Sequence, residues 1–271
     1  AVRALAAVTR YAEWRARPPG EVPESPDVCA ERARALVERW LDERPEGGAL
    51  DPARLTELLA CYGVRLWPSI PAPDADTAVR VAAELGGPVV LKTTLEHLRH
   101  RPDLRDVRLG LQGEGQVRAA YQALKRELAA SAPMIVQPMA APGVAVVVSS
   151  LEDPLFGPVV SFGLGGVATE LLGDRTYRIP PLTGTEAREM VRCVRAAPLL
   201  FGHGGSEPVD VAAVEDLLVR IGRLADDLPE VCELELNPVL VATSGLAVLH
   251  AGARLAPPLV RTDRGPRHLT D

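Results

Sequence analysis

The sequence predicts an α+β (mixed α/β) protein with two sheet-containing lobes. Two observations carry this. Stretches with apolar residues at helical spacing alternate loosely with short runs rich in Val, Ile and Leu. Several of those runs follow one another with no helix between them, which favours segregated sheets over a regular βαβ succession. No internal repeat is visible, and 271 residues suffice for two cores.

Residues 1–17 place Val2, Leu5, Ala6, Val8 and Tyr11 near helical spacing, and Pro18-Pro19-Gly20 stops that helix. Prolines 23 and 26 continue a linker, so residues 1–27 read as the end of a preceding domain. A helix over 29–41 carries Ala33, Leu36, Val37, Trp40 and Leu41 on one face. Asp51-Pro52 gives a cap and a first-turn proline, Leu55, Leu58, Leu59 and Tyr62 form the face, and Gly63 ends the helix. Residues 64–67 predict a short strand, and Asp76 a cap for a helix ending at Gly86-Gly87. Residues 88–92 predict a buried strand, 107–111 another, and Val117, Tyr121, Leu124 and Leu128 line a helix. These make a first lobe over 28–131.

The second lobe is expected over 132–257. Residues 134–139 and 144–149 predict strands joined in hairpin fashion by Ala140-Ala141-Pro142-Gly143. Val159-Val160-Ser161-Phe162 predicts a strand that breaks into Gly163-Leu164-Gly165-Gly166. Thr183 and Glu186 fit a capping box for a helix to 195. A helix from Asp210 carries Val211, Val214, Leu217, Leu218, Ile221 and Leu224. Residues 231–238 and 246–249 predict strands paired about Thr243-Ser244-Gly245, and 258–271 a tail.

Composition narrows the function. The chain is 47% hydrophobic and 24% charged, with net charge −6, so neither nucleic acid nor an anionic membrane is an expected partner. No basic tract, 18-residue apolar run or signal-like segment is read. Cys29, Cys61, Cys193 and Cys232 lie far apart and read as reduced thiols of a cytoplasmic protein.

Only Lys92 and Lys125 are lysine among 30 basic residues, so a lysine ending an apolar strand is informative. Lys92 either points its ammonium into a cleft as a fixed charge for phosphate or snorkels at the surface. His100 offers a neutral nitrogen nucleophile, or is an ordinary loop histidine. Glycines after a strand let backbone N–H groups approach an anion, or simply make a turn. Glu233, Glu235 and Asn237 alternate with leucines and so share one strand face, which suits a hard cation such as Mg²⁺ or a solvated surface.

Taken together these stretches resemble the ADP-forming acyl-CoA synthetases (the acetate–CoA ligases), in their ATP-grasp, β-subunit-like part. The carriers are Phe156-Gly157-Pro158-Val159-Val160, Phe162-Gly163-Leu164-Gly165-Gly166, Arg178 and Pro181-Leu182-Thr183, with Gly87-Pro88-Val89-Val90-Leu91-Lys92. The likeness covers residues 50–257. It implies an ATP-grasp fold, with ATP or ADP and Mg²⁺ in a cleft between the lobes. Lys92 is the implied phosphate contact, and Gly165, Gly166 and Arg178 are further implied nucleotide-binding residues. Val136, Gln137 and Met139 would lie along the adenine. Glu235 and Asn237 would hold the metal, and His100 would carry a phosphoryl group. The family's pattern around that histidine is kept at His100, Asp103, Val107, Arg108 and Leu109, but its Gly-Gly is Arg105-Asp106 here. The acid following the Ala-Pro-x-Gly-Val motif is Ala145, and His250 stands where the family's later aspartate falls. Imidazole is a poor Mg²⁺ ligand. These departures support an alternative, a catalytically degenerate module that regulates or senses ligand for a fused domain. The implied partners are CoA-binding α-like domains and a GNAT acetyltransferase domain, both outside this chain.

Overall fold

The computed structural model describes residues 2–16, 20–94, 107–128, 131–166 and 171–258. Helices α1 (Val2–Ala16), α2 (Ala30–Glu43), α3 (Pro52–Ala60), α4 (Ala75–Leu85), α5 (Gly113–Glu127), α6 (Gly184–Cys193) and α7 (Val211–Asp227) are joined by eleven strands. Strands β2 (Ile70–Pro71), β3 (Val89–Thr93), β4 (Val107–Leu111) and β5 (Met134–Pro138) form a small sheet in the order β2-β5-β3-β4. The large sheet has seven strands. Its path runs β1 (Gly48–Ala49), β11 (Ala251–Leu255), β9 (Val231–Val241), β6 (Val144–Asp153), β7 (Gly157–Leu164) and β8 (Arg175–Arg178), with β10 (Leu246–Val248) also pairing β9. Two sheet-containing lobes and an α+β class are therefore as the sequence predicts.

Each sheet covers its own core. In the small sheet Val89, Leu91 and Val136 pack on Val81 of α4 and on Val117, Tyr121 and Leu124 of α5. In the large sheet Val146, Val148, Val160, Phe162, Leu234 and Leu236 pack on α6 and α7. The division expected at residue 131 does not follow these cores. Ala33, Val37 and Trp40 of α2 and Leu55, Leu58 and Leu59 of α3 are buried with the large sheet, whose edge strand β1 precedes α3. Tyr62 seals this arrangement by donating its hydroxyl to Asp227 on α7, 3.2 Å away. Burial, then the nearby Asp227 charge, holds that phenol well above its usual range, so it stays a donor.

Local signals explain most boundaries. Asp51 accepts from Arg54 N, Asp210 from Ala213 N, and Thr183 with Glu186 closes a full capping box. The cap of α4 is Asp74, accepting from Thr77 N, rather than Asp76, which sits in the first turn and pairs Arg118 at 2.7 Å. Gly86 ends α4 in the left-handed region, at φ 71°. Residues 64–67 form no full strand; Leu66 makes a single bridge to Val248.

Residues 140–143 do not close a hairpin. They carry the chain from β5 in the small sheet to β6 in the large one. Gly143 is required there, because a Cβ would lie 2.0 Å from the Val241 carbonyl oxygen.

Candidate functional site

The two sheets meet where β10 passes to β11. Lys92, near the end of β3, donates from Nζ to the Leu249 carbonyl oxygen at 3.3 Å. Gln137 of β5, only 3% exposed, donates from Nε2 to the same oxygen at 3.2 Å and to Ser69 Oγ at 2.7 Å. The connecting chain is tied there as well. Trp67 donates its backbone N–H to Val248 O and its indole N–H to Pro138 O, both at 2.8 Å. Neighbouring strands of the small sheet thus each send one side chain to one carbonyl of the large sheet.

The next residue joins that corner to the large sheet. The His250 carbonyl accepts from the Asn237 backbone N–H at 3.0 Å. Asn237 Nδ2 donates to Glu235 Oε1 at 3.1 Å. Strand alternation puts Glu233, Glu235 and Asn237 opposite the core face that holds Leu234 and Leu236. The register extends this polar face sideways. Glu235 lies beside Ser149 of β6 and Gly252 of β11, Ser149 beside Ser161 of β7, and Ser161 beside Tyr177 of β8. Ser149 Oγ and Ser161 Oγ share a hydrogen bond of 2.7 Å. The floor therefore presents oxygen and amide groups, and the small sheet brings an ammonium to its rim. That combination suits a polyanion accompanied by a hard cation.

Glu235 and Asn237 fit Mg²⁺ of the kind that takes one or two protein oxygens and completes its shell with phosphate and water. Among the described residues no group of three or more His, Cys, Asp or Glu gathers where it could hold a metal ion.

Other expected residues are placed differently. Val136 is fully buried in the small core, between Ile70 of β2 and Leu91 of β3. Met139 is 37% exposed and its N–H is bound to Pro88 O at 3.0 Å. Gly165 N–H is satisfied by Ala145 O at 2.8 Å and does not point at an anion. Gly166 follows it at φ 118°. Arg178 does not join the group. It lies opposite core-facing Val160 and pairs Glu189 of α6 at 3.5 Å, on the helix side of the sheet. Arg175 and Tyr177, one strand step away, share the side of Glu235. His100, with Asp103, Arg105 and Asp106, lies outside the described residues. The residue missed from sequence is Leu249. A backbone carbonyl acts as acceptor whatever its side chain, so no sequence signal marks it.

The sequence profile of the ATP-grasp domain matches residues 42–255. An ADP-forming acetate–CoA ligase I of Archaeoglobus fulgidus is 37% identical over 257 residues, covering 92% of this chain and 37% of that protein. The chain thus spans little more than a third of that relative. The beta subunit of ADP-forming acetate–CoA ligase I from Pyrococcus furiosus is 32% identical over 214 residues, covering 77% of this chain and 91% of that subunit. Among solved structures, a dinucleotide-forming acetyl-coenzyme A synthetase 1 of Ca. Korarchaeum cryptofilum, in complex with coenzyme A, Ca-AMPCP and HgCl+, superposes with a TM-score of 0.71. That chain is 33% identical, and the match covers 82% of this chain and 99% of that one. Another structure of the same protein holds Mg-AMPPCP, with a phosphohistidine segment pointing towards its nucleotide site (TM-score 0.67, 34% identity, 82% and 99% covered). No helix among the described residues is long and apolar enough to cross a membrane.

Proposed function

Because the chain belongs to the ATP-grasp family, as a module of the ADP-forming acyl-CoA synthetase type, we propose that it binds ATP or ADP between its two sheets and passes a phosphoryl group between nucleotide and histidine. The observation that supports this most is the shared Leu249 carbonyl, where the small sheet's cation meets the corner carrying the large sheet's oxygen donors.

The contacts and the family resemblance support the following roles. Lys92 exchanges its carbonyl partner for a phosphate oxygen, trading a neutral acceptor for a charged one. Gln137 keeps the Leu249 corner seated while Lys92 moves to phosphate. Glu235 and Asn237 hold Mg²⁺, which when bound offsets phosphate charge and fixes the phosphate chain. The backbone of β5 near Met139 borders the base. His100 is the acceptor. Its ring nitrogen bonds phosphorus as the bond from phosphorus to the ADP oxygen breaks, and the reverse step regenerates ATP. The overall reaction, acyl-CoA + ADP + phosphate ⇌ acid + CoA + ATP, needs CoA-binding domains outside this chain and is cytoplasmic. Nothing in the relatives described above supports an acetyltransferase partner, and none is proposed.

The regulatory alternative rests on His250, which stands where the family's later aspartate falls and brings a poor Mg²⁺ ligand with no negative charge to the corner beside Asn237. The two readings separate in one experiment. ATP labelled at the γ-phosphate, with Mg²⁺, should leave acid-labile, base-stable label on the chain, and His100→Asn should abolish it. Nucleotide binding without such label would favour the regulatory module.

A further inference from the structure

The four cysteines are far apart in sequence, but the fold brings two of them together. Cys29 sits at the N-cap of α2 and Cys61 at the C-cap of α3. The Cys29 backbone N–H donates to the Cys61 carbonyl oxygen at 2.7 Å. With standard backbone bond lengths that contact holds the two Cα atoms within about 6.6 Å of each other. Disulfides span Cα separations of ~4.4–6.8 Å, so the backbone is already placed to be bridged.

The two side chains are unequal. Cys29 is exposed, whereas Cys61 is 4% exposed. The Cys29 thiol does not cap α2, and its contact with the Asp27 carbonyl oxygen is long, at 3.9 Å. It can therefore turn without undoing the helix start. Burial pushes the Cys61 thiol up, the Arg32 guanidinium opposes this, and the neighbouring Cys29 sulfur adds to it. The exposed thiol thus meets an oxidant first, with the buried one held back beside it. An accessible cysteine next to a second one is the arrangement of a redox-responsive pair.

We propose that Cys29 and Cys61 form a reversible redox site, separate from the nucleotide cleft, that a low-molecular-weight disulfide oxidises. The Cys29 thiolate attacks one sulfur of the small disulfide, whose bond breaks and releases one small thiol. The Cys61 thiolate then attacks the Cys29 sulfur of the mixed disulfide and releases the second small thiol. Each protein thiol gives its proton to one leaving thiolate. The cysteine pair loses two electrons to the small disulfide, and excess thiol reverses both steps. The closed bond ties the start of α2 to the end of α3. Arg220 already gathers the chain there, binding Asp27 at 2.8 Å and the Tyr62 carbonyl oxygen at 3.0 Å. The bond closes a loop of roughly thirty residues within the large core.

Oxidised glutathione added to the intact chain tests this, with the products mapped by peptide mass spectrometry after the remaining thiols are alkylated. The expected product has one internal bond, joining Cys29 to Cys61. Cys61→Ala should instead stop at glutathione on Cys29. Cys29→Ser, which keeps a residue suited to the N-cap, should form no internal bond. Oxidation should raise the Tm of the parent by about 5–10 °C. Dithiothreitol should return it, and Cys29→Ser should show no such rise. Glutathione retained on Cys29 of the parent, an internal bond between other cysteines, or a Tm that oxidation leaves unchanged or lowers would each overturn the assignment.

Discussion

The large and small sheets solve different problems with the same elements. The large sheet buries one face against α2, α3, α6 and α7 and leaves a polar face of Glu235, Asn237, Ser149 and Ser161. Among the described residues the small sheet has four strands and packs on α4 and α5. Its link to the large sheet carries polar ties: Lys92 and Gln137 donate to the Leu249 carbonyl, and Trp67, between the sheets, donates its backbone N–H to Val248 O and its indole N–H to Pro138 O. A broad apolar core makes a fixed platform, whereas a few polar ties let a lighter sheet change its contacts when an anion arrives. The lesson is that the proposed metal donors sit on the part with the broader apolar core. The cation sits on the part held by bonds that phosphate can replace.

The comparison can be broken by cutting into each core. Phe162→Ala in the large core should cost about 3–5 kcal/mol and lower the unfolding midpoint of the whole chain. Leu124→Ala in the small core should cost about 2–5 kcal/mol. Its effect should concentrate in β3, β5 and α5 when hydrogen exchange is followed residue by residue. Equal loss of protection in β6 and β9 would contradict the division. Gln137→Leu sharpens the point about ties. It removes two hydrogen bonds, the one to Ser69 and one of the two that the Leu249 carbonyl accepts, each worth ~0.5–1.5 kcal/mol, so denaturant titration should show about 1–3 kcal/mol lost. The smallest effect belongs to Thr183→Ala, which removes the cap of α6 and should cost ~1 kcal/mol in the same assay while leaving nucleotide affinity unaltered.

Much of this was legible in the sequence because it rests on local rules. The Thr183–Glu186 box needs only two residues three apart. The alternation of Glu233, Glu235 and Asn237 with leucine fixed a polar face on β9 before any partner strand was known. Lys92 stood out by its position after Val89-Val90-Leu91. What failed depends on which segments meet. The apolar faces of α2 and α3 say that they are buried, not under which sheet, so their place in the large core was not readable. Residues 140–143 have turn chemistry that serves a crossing between sheets as well as a hairpin. Asp74 and Asp76 both suit a cap, and the choice turned on Arg118 engaging the second. Alternation separates Arg178 from Arg175 and Tyr177, but only the fold tells which side is the cleft.

The most direct test of the account is a thermal-shift titration with ATP and ADP, with and without Mg²⁺, on the parent chain, Lys92→Met and Asn237→Ala. Nucleotide at about 100 times its Kd should add ~2.7 kcal/mol. For a chain of this size that is roughly 5–10 °C in Tm. The account predicts this shift for the parent with Mg²⁺, a much smaller one for Lys92→Met, and an Asn237→Ala response that no longer depends on Mg²⁺. A parent shift indifferent to Mg²⁺, or one that survives both substitutions intact, would contradict the claim that the two sheets share one nucleotide site.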